Sequence, residues 1–174
     1  IAEAALAGGA DVIQLRDKAG DLRDLLRQAQ AIRALCRARG ALFIVNDRVD
    51  LALAAGADGA HVGQDDLPAE AARRLLGPGK LLGVSTHDVA QARGALAAGA
   101  DYIGFGPMFA TGTKETGYTP RGPAALADIR RAVGPLPILA IGGITLENVA
   151  AVVRAGATAP AVISAIVAAQ DVAA

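Results

Sequence analysis

Gln14, Arg16 and Lys18 occupy alternate positions in the short segment Gln14-Leu15-Arg16-Asp17-Lys18. Alternate residues of an extended chain share a face, so Gln14 and Arg16 point the same way, and Lys18 joins them if the extended geometry continues. Arg forks bidentately onto phosphate oxygens and Lys adds a point charge. The plainer reading is a pair of solvated loop cations; two cations and an amide on one face favour an anion clamp. Two carboxylates, Asp47 and Asp66, follow other apolar segments, with Asn46 beside the first and Gln64 and Asp65 beside the second. Taken singly, each aspartate reads as a helix N-cap, because a helical stretch follows it. Taken together near cations they fit a Mg²⁺ site, since Mg²⁺ uses one or two carboxylates, keeps some waters and borrows phosphate oxygens. Asp65 is the weaker metal candidate and serves as well for a cap.

A second anion-binding signal lies further along. Ile141-Gly142-Gly143-Ile144 implies a close backbone approach, and a helical stretch, Leu146 to Ala155, follows it. Ile163-Ser164-Ala165 also runs from a strand toward a helix. Backbone N–H groups at such junctions favour phosphate. Thr111, Thr113 and Lys114 add hydroxyls and a cation after a fifth apolar run. Ser85 and Thr86 end a fourth run, where helix capping and substrate contact are equally good readings. His61 sits inside an apolar run as a core histidine would. His87 opens a helical stretch, a weak position for a general base. Cys36 is alone, which excludes an internal disulfide and leaves a small packed residue as its reading.

These groups need a frame that brings strand ends together. A phrase recurs: Gly8-Gly9-Ala10-Asp11, Ala55-Gly56-Ala57-Asp58, Ala98-Gly99-Ala100-Asp101 and Ala155-Gly156-Ala157-Thr158. Each follows a helical stretch and precedes a short apolar run, so its glycine suits the left-handed residue beyond a helix C-terminus. Strands are expected at Asp11 to Arg16, Ala41 to Asp47, Gly59 to Gly63, Leu81 to Ser85, Asp101 to Gly106, Pro137 to Gly142 and Ala161 to Ser164. Their nearly continuous apolar character suits parallel strands covered on both faces. Helices such as Leu22 to Arg39, Ala69 to Leu76 and Val89 to Ala98 lie between them. The pattern is α/β, and the expectation is a TIM (β/α)₈ barrel, whose active groups gather at the C-terminal strand ends. Its eighth, first-in-order strand has no counterpart in the sequence. The chain opens at Ile1 inside a helical stretch and its last helix stops at Ala174. The reading is therefore one domain, 1–174, truncated at the N-terminus and at the C-terminus. An open doubly wound sheet would call for a Gly-rich fingerprint after the first strand, which Gln14 to Lys18 is not.

Lys plus Arg and Asp plus Glu are 17 each, so overall charge gives no argument for nucleic acid or an anionic membrane. Neither a signal peptide nor a membrane-length apolar run is evident. Small-molecule substrates, a cytoplasmic location and compatibility with a homo-oligomer complete the expectation.

The segments Gln14 to Lys18, Phe43 to Asp50, Ala57 to Pro68, Leu82 to His87, Gly106 to Lys114, Ala140 to Ile144 and Val162 to Ala165 together resemble the thiamine-phosphate synthase family, in the family's order. The resemblance implies a transferase that joins a hydroxymethylpyrimidine pyrophosphate to a thiazole phosphate, giving thiamine phosphate and pyrophosphate. It implies that Gln14, Arg16, Lys18 and Asn46 hold the pyrimidine pyrophosphate and that Asp47 and Asp66 bind Mg²⁺. It further implies that Ser85 and Lys114 contact the pyrimidine substrate. Thr111, Thr113, Gly143, Ile163 and Ser164 would hold the thiazole phosphate. Arg16, Lys18, Lys114 and Ser85 are the residues expected to act in the chemistry. The related thiazole tautomerase would lack the two metal carboxylates and carry a histidine where Pro107 stands. A non-catalytic module that binds a phosphorylated thiazole is a further alternative, as is another sugar-phosphate barrel enzyme. One departure from the family pattern is Ala157-Thr158-Ala159-Pro160, where Ala-Asp-Gly and an apolar residue are expected.

Overall fold

The computed structural model of the chain describes residues 1–111 and 117–167. Helices and strands alternate from the start: α1 (Ala2–Ala7), β1 (Val12–Leu15), α2 (Leu22–Arg39), β2 (Leu42–Asn46), α3 (Val49–Ala54), β3 (Gly59–Val62), α4 (Ala69–Leu76), β4 (Leu81–Thr86), α5 (Val89–Ala97), β5 (Tyr102–Phe105), α6 (Gly122–Val133), β6 (Ile138–Ile141), α7 (Val149–Arg154), β7 (Ala159–Ala161) and α8 (Ser164–Val167). The chain forms two compact units, one from Ile1 to Leu82 and one from Gly83 onward. In the first, β1 pairs with β2 and β2 with β3, all parallel. In the second, β4, β5, β6 and β7 pair successively, again all parallel. The fold is thus α/β with seven parallel strands among the described residues, and none of the described helices is long and apolar enough to cross a membrane.

Parallel pairing requires a crossover between consecutive strands, and the helices supply it. They also cover the sheet faces. Phe43, Ile44 and Val45 are consecutive in β2 and all buried, so both faces of that strand are packed. Leu25, Ala29 and Cys36 of α2, with Leu51 and Ala52 of α3, add to the first core. The second core gathers Ile103, Phe105, Ile138 and Ala140 with Leu126, Ile129 and Val133 of α6. Each Val, Leu, Ile or Phe among them contributes about 1.5–3 kcal/mol when fully buried. Burial raises the Cys36 thiol above its ordinary range, so the cysteine is a packed residue as expected.

The recurring glycine phrase does mark helix-to-strand returns. Gly9, Gly56, Gly99 and Gly156 all take a positive φ. The residue two places after the glycine has its own task. The Asp58 carboxylate accepts the Phe43 N–H at 2.8 Å, closing the start of β2 against β3. Thr158 replaces it in the fourth copy, and its hydroxyl accepts the Ile138 N–H at 3.0 Å. The arginines that hold these loops correspond too. Arg33 of α2 donates to Gly56 O and pairs with Asp58 at 3.2 Å. Arg130 of α6 donates to Gly156 O and to the Thr158 hydroxyl, and also to Gly134 O and Leu136 O. The same arginine clamp is therefore built in each unit, with threonine doing in the second what aspartate does in the first.

Thr158 also corrects one strand boundary. Its N–H donates to Ile138 O at 2.8 Å, so pairing starts early and β7 spans Ala159–Ala161 rather than Ala161 to Ser164. Pro160 then falls opposite Ala140 inside the strand. A terminal strand tolerates this, because its outer side needs no donor. Ser164 becomes the first residue of α8.

Candidate active site

In the first unit, β1 stops at Leu15, so strand alternation carries Gln14 but does not reach Lys18. The Asp17 carboxylate accepts the N–H groups of Ala19 and Gly20 at 2.9 and 3.0 Å and turns the chain. Lys18 arrives at the cluster by that turn, with its Nζ 3.5 Å from an Asp47 oxygen. Gln14 and Arg16 are exposed, free to meet a soluble anion. Arg16 and Lys18 thus lie beyond β1, and Lys18 reaches Asp47 by a turn rather than by strand alternation.

Asp47 has φ of 64°, in the left-handed region that few non-glycine residues adopt. The Arg48 N–H bonds to Asn46 O at 2.8 Å across it, making a tight three-residue turn at the end of β2. Its own N–H donates to His61 O at 2.7 Å, anchoring the turn on β3. Asn46 donates from its side-chain amide to the Asp47 carboxylate. Strain of this kind concentrates where a side chain must be aimed. Asp66 sits in the loop after β3, where an oxygen of its carboxylate accepts the Gly63 N–H at 2.8 Å.

Neither aspartate caps a helix. The N-cap of α3 is Arg48 and that of α4 is Pro68, neither with a side-chain capping bond. The same holds against Asp65 as a cap of α4. Instead, the Asp47 and Asp66 carboxylates interact with each other. Burial, then the hydrogen bond and charge of Asp66, raise the Asp47 carboxyl above its ordinary range, with Lys18 and Arg16 opposing. Two partly buried carboxylates in contact repel unless a proton or a cation lies between them. Hard oxygen donors and only two carboxylates, with Lys18 and Arg16 nearby, fit Mg²⁺ better than a metal that demands a full protein cage. Among the described residues no group of three or more His, Cys, Asp or Glu forms such a cage.

In the second unit, α5 is capped by Asp88, whose carboxylate accepts the Gln91 N–H at 2.8 Å. Ser85 and Thr86 are therefore not caps. Thr86 is fully buried and donates to Gly104 O at 3.1 Å, a structural role, whereas Ser85 is partly exposed at the end of β4. The double glycine is explained by close approach. A Cβ on Gly142 would lie 2.7 Å from Pro107, and one on Gly143 would lie 2.5 Å from Ala110 O. Backbone bonds Met108 N–H to Ile141 O and Phe109 N–H to Gly142 O, both 2.9 Å, lock the two strand ends together. Thr111 follows that locked segment and is half-buried. The helix after the glycines starts at Val149, later than Leu146, because Asn148 accepts the Thr145 N–H and donates to Gly143 O. Helix α7 thus begins well beyond Gly143, while Ile163 and Ser164 stand directly at the start of α8. Thr113 and Lys114 lie outside the described residues.

Sequence reasoning missed Asp17 and Gly63, which organise Lys18 and Asp66 through backbone bonds. The adjacency Arg-Asp-Lys carried a signal for the first, since Asp readily bonds N–H groups two residues on. Nothing in Val62-Gly63-Gln64 signalled the second.

The thiamine monophosphate synthase family model matches residues 1–166. A thiamine-phosphate synthase of Methanoculleus marisnigri is 57% identical over 172 residues, covering 99% of this chain and 81% of the relative. One from Moorella thermoacetica is 55% identical over 170 residues, covering 98% and 80%. The solved structure of a thiamine phosphate pyrophosphorylase from Pyrococcus furiosus superimposes with a TM-score of 0.92 at 38% identity, over 99% of this chain and 82% of that one. On these matches, the chain belongs to the thiamine monophosphate synthase family.

Proposed function

We propose that this chain is a thiamine-phosphate synthase whose first unit binds and activates a pyrimidine pyrophosphate with Mg²⁺. The observation that carries the metal reading is the Asp47–Asp66 contact with Lys18 at 3.5 Å from Asp47, three charged groups that do not serve as helix caps. Asp47 and Asp66 would hold the metal, which when bound supplies charge neutralisation to the pyrophosphate oxygens. Gln14, Arg16, Lys18 and Asn46 bind and orient that pyrophosphate. In the second unit, Thr111, Gly143, Ile163 and Ser164 take the thiazole phosphate, with Thr113 assigned there by resemblance. Ser85 and Lys114 keep their resemblance-based assignment to the pyrimidine substrate.

The chemistry is a substitution at the pyrimidine methylene carbon. Its C–O bond breaks and pyrophosphate leaves with the electron pair. The thiazole nitrogen donates its lone pair to form the new C–N bond, giving thiamine phosphate. The leaving group gains charge as the bond stretches, and cations placed in advance favour that state over the ground state. The electron-rich pyrimidine ring supports a dissociative course. No protein nucleophile is needed, and buried Cys36 offers none. Holding two reactants in register can lower a barrier by about 7–11 kcal/mol.

The related tautomerase reading calls for no carboxylate pair and for a histidine at position 107, where this chain has proline. The β/α alternation supports reading the fold as a single (β/α)₈ barrel domain with one strand more than the seven described. A cytoplasmic homo-oligomer completes the reading. The test is direct: incubate the purified chain with the two substrates and Mg²⁺ and assay for thiamine phosphate by mass spectrometry. Product formation supports the synthase; folded protein that binds the thiazole phosphate without turnover refutes it in favour of a binding module.

A further inference from the structure

His87 stands one residue past β4, and its ring stacks on Tyr118 with centroids 3.7 Å apart and planes 19° from parallel. Its Nδ1 is 2.6 Å from Gly106 O. A carbonyl oxygen only accepts, so Nδ1 carries the proton in this arrangement. The His87 backbone N–H donates to the Gln91 side chain at 2.8 Å, which fixes the residue on α5. The Arg121 guanidinium lies over the Tyr118 ring, 5.6 Å from its centroid. Arg121 and Gly122 then donate backbone N–H bonds of 2.8 and 3.0 Å to Pro107 O and Met108 O.

These contacts meet the β5–α6 connection at two places. Gly106 opens the connection, and Tyr118 stands on its way back to α6. Residues 117–120 are all exposed, so core packing does not hold that returning stretch. A single imidazole engages both ends, by a hydrogen bond at the start and by stacking at the return. Thr111 lies on the connection between them.

We propose that His87 is a positioning residue for the reaction: it aligns the start and return of the β5–α6 connection, and thereby the thiazole-phosphate subsite at Thr111. This rests on the synthase reading for its kinetic consequence, but not for its structural one. His87 acts through Gly106 and Tyr118; it need touch neither substrate.

Two dissecting variants separate the contacts. His87→Asn keeps a donor near Gly106 O and loses the stack, whereas His87→Phe keeps the stack and loses the donor. His87→Ala loses both. KM for the thiazole phosphate should rise about tenfold in His87→Ala and in Tyr118→Ala, as expected for loss of a stacked pair, with KM for the pyrimidine substrate little changed. The double variant His87→Ala/Tyr118→Ala should be no worse than His87→Ala alone, because the stack is already lost in that single variant. Effects that multiply, or that fall equally on both substrates, would overturn the proposal. A second readout needs no substrate: amide hydrogen exchange at Arg121 and Gly122 should quicken by about tenfold in His87→Ala, in step with the lost stack. Unchanged exchange overturns the proposal whatever the activity; a parent chain that makes no thiamine phosphate but shows the exchange effect overturns the synthase reading instead.

Discussion

Replacing Gly63 by alanine should damage metal use while sparing the fold. The Gly63 N–H donates to the Asp66 carboxylate at 2.8 Å, and a Cβ at this position would lie 2.9 Å from the same oxygen. The backbone at Gly63 is not left-handed, so alanine is conformationally acceptable there. The crowded atom is the end of a flexible side chain, so relief comes from moving the carboxylate and not the strand. That motion breaks a hydrogen bond to a charged group, worth about 1.5–3 kcal/mol. It also withdraws Asp66 from the place where it meets Asp47. Since about 1.4 kcal/mol is tenfold, the expected loss is about 10–100-fold in apparent Mg²⁺ affinity, the range seen when a ligand's supporting bond is removed. The assay is the initial rate of thiamine phosphate formation against free Mg²⁺ with both substrates saturating. Gly63→Ala should need about 10–100-fold more Mg²⁺ for half the maximal rate and recover much of that rate at high metal. Its melting temperature should fall by about 3–12 °C, at about 2–4 °C for each kcal/mol lost, with the fold retained. A half-saturating Mg²⁺ within twofold of the parent, in folded protein, would refute the assignment of Asp66.

Asp47→Asn should lower turnover by about 100-fold or more yet stabilise the metal-free protein at neutral pH. The sign follows from the raised Asp47 carboxyl: the folded state favours its protonated form, and that contribution is lost as pH rises through the folded value. Thermal melts with chelator at neutral and acidic pH check this, and a variant less stable than the parent at neutral pH contradicts it. For the same reason, protons should compete with Mg²⁺ from a higher pH than at an ordinary aspartate. The Mg²⁺ requirement should therefore grow as pH falls; a requirement independent of pH contradicts the coupling. Arg16→Ala should raise KM for the pyrimidine pyrophosphate by about 10–100-fold, the value of charge-assisted bonds to phosphate, and leave KM for the thiazole phosphate alone. Arg130→Met removes the donor to Gly134 O, Leu136 O, Gly156 O and Thr158, and should cost about 2–3 kcal/mol in a denaturant melt without altering either KM.

The alternation of elements was legible because glycines past the helices and apolar runs after them repeat along the chain. Thr158 shows where that reading ran thin: a side-chain oxygen, not an aspartate as such, is what the phrase requires, and pairing from that oxygen moved β7 two residues earlier than its apolar run suggested. The candidate site was legible as a set of residue types and not as a geometry. Taken singly, Asp47 and Asp66 read as caps, and only the positions of Arg48 and Pro68 at the helix starts remove that alternative. Lys18 was assigned by strand alternation, but a turn made by Asp17 delivers it. The close backbone approach at the double glycine was legible, but the partners that make it, Pro107 and Ala110, were not. Such approaches depend on segments far apart in sequence, which no local pattern records.

On the proposed function, the Asp47–Asp66 pair and its cations make pyrophosphate leave with the help of Mg²⁺. It is tested most directly by measuring thiamine phosphate formation from both substrates with Mg²⁺, with excess chelator, and after Mg²⁺ is restored. Product is expected with Mg²⁺, is lost in chelator, and returns with the metal. Undiminished product in chelator would contradict it.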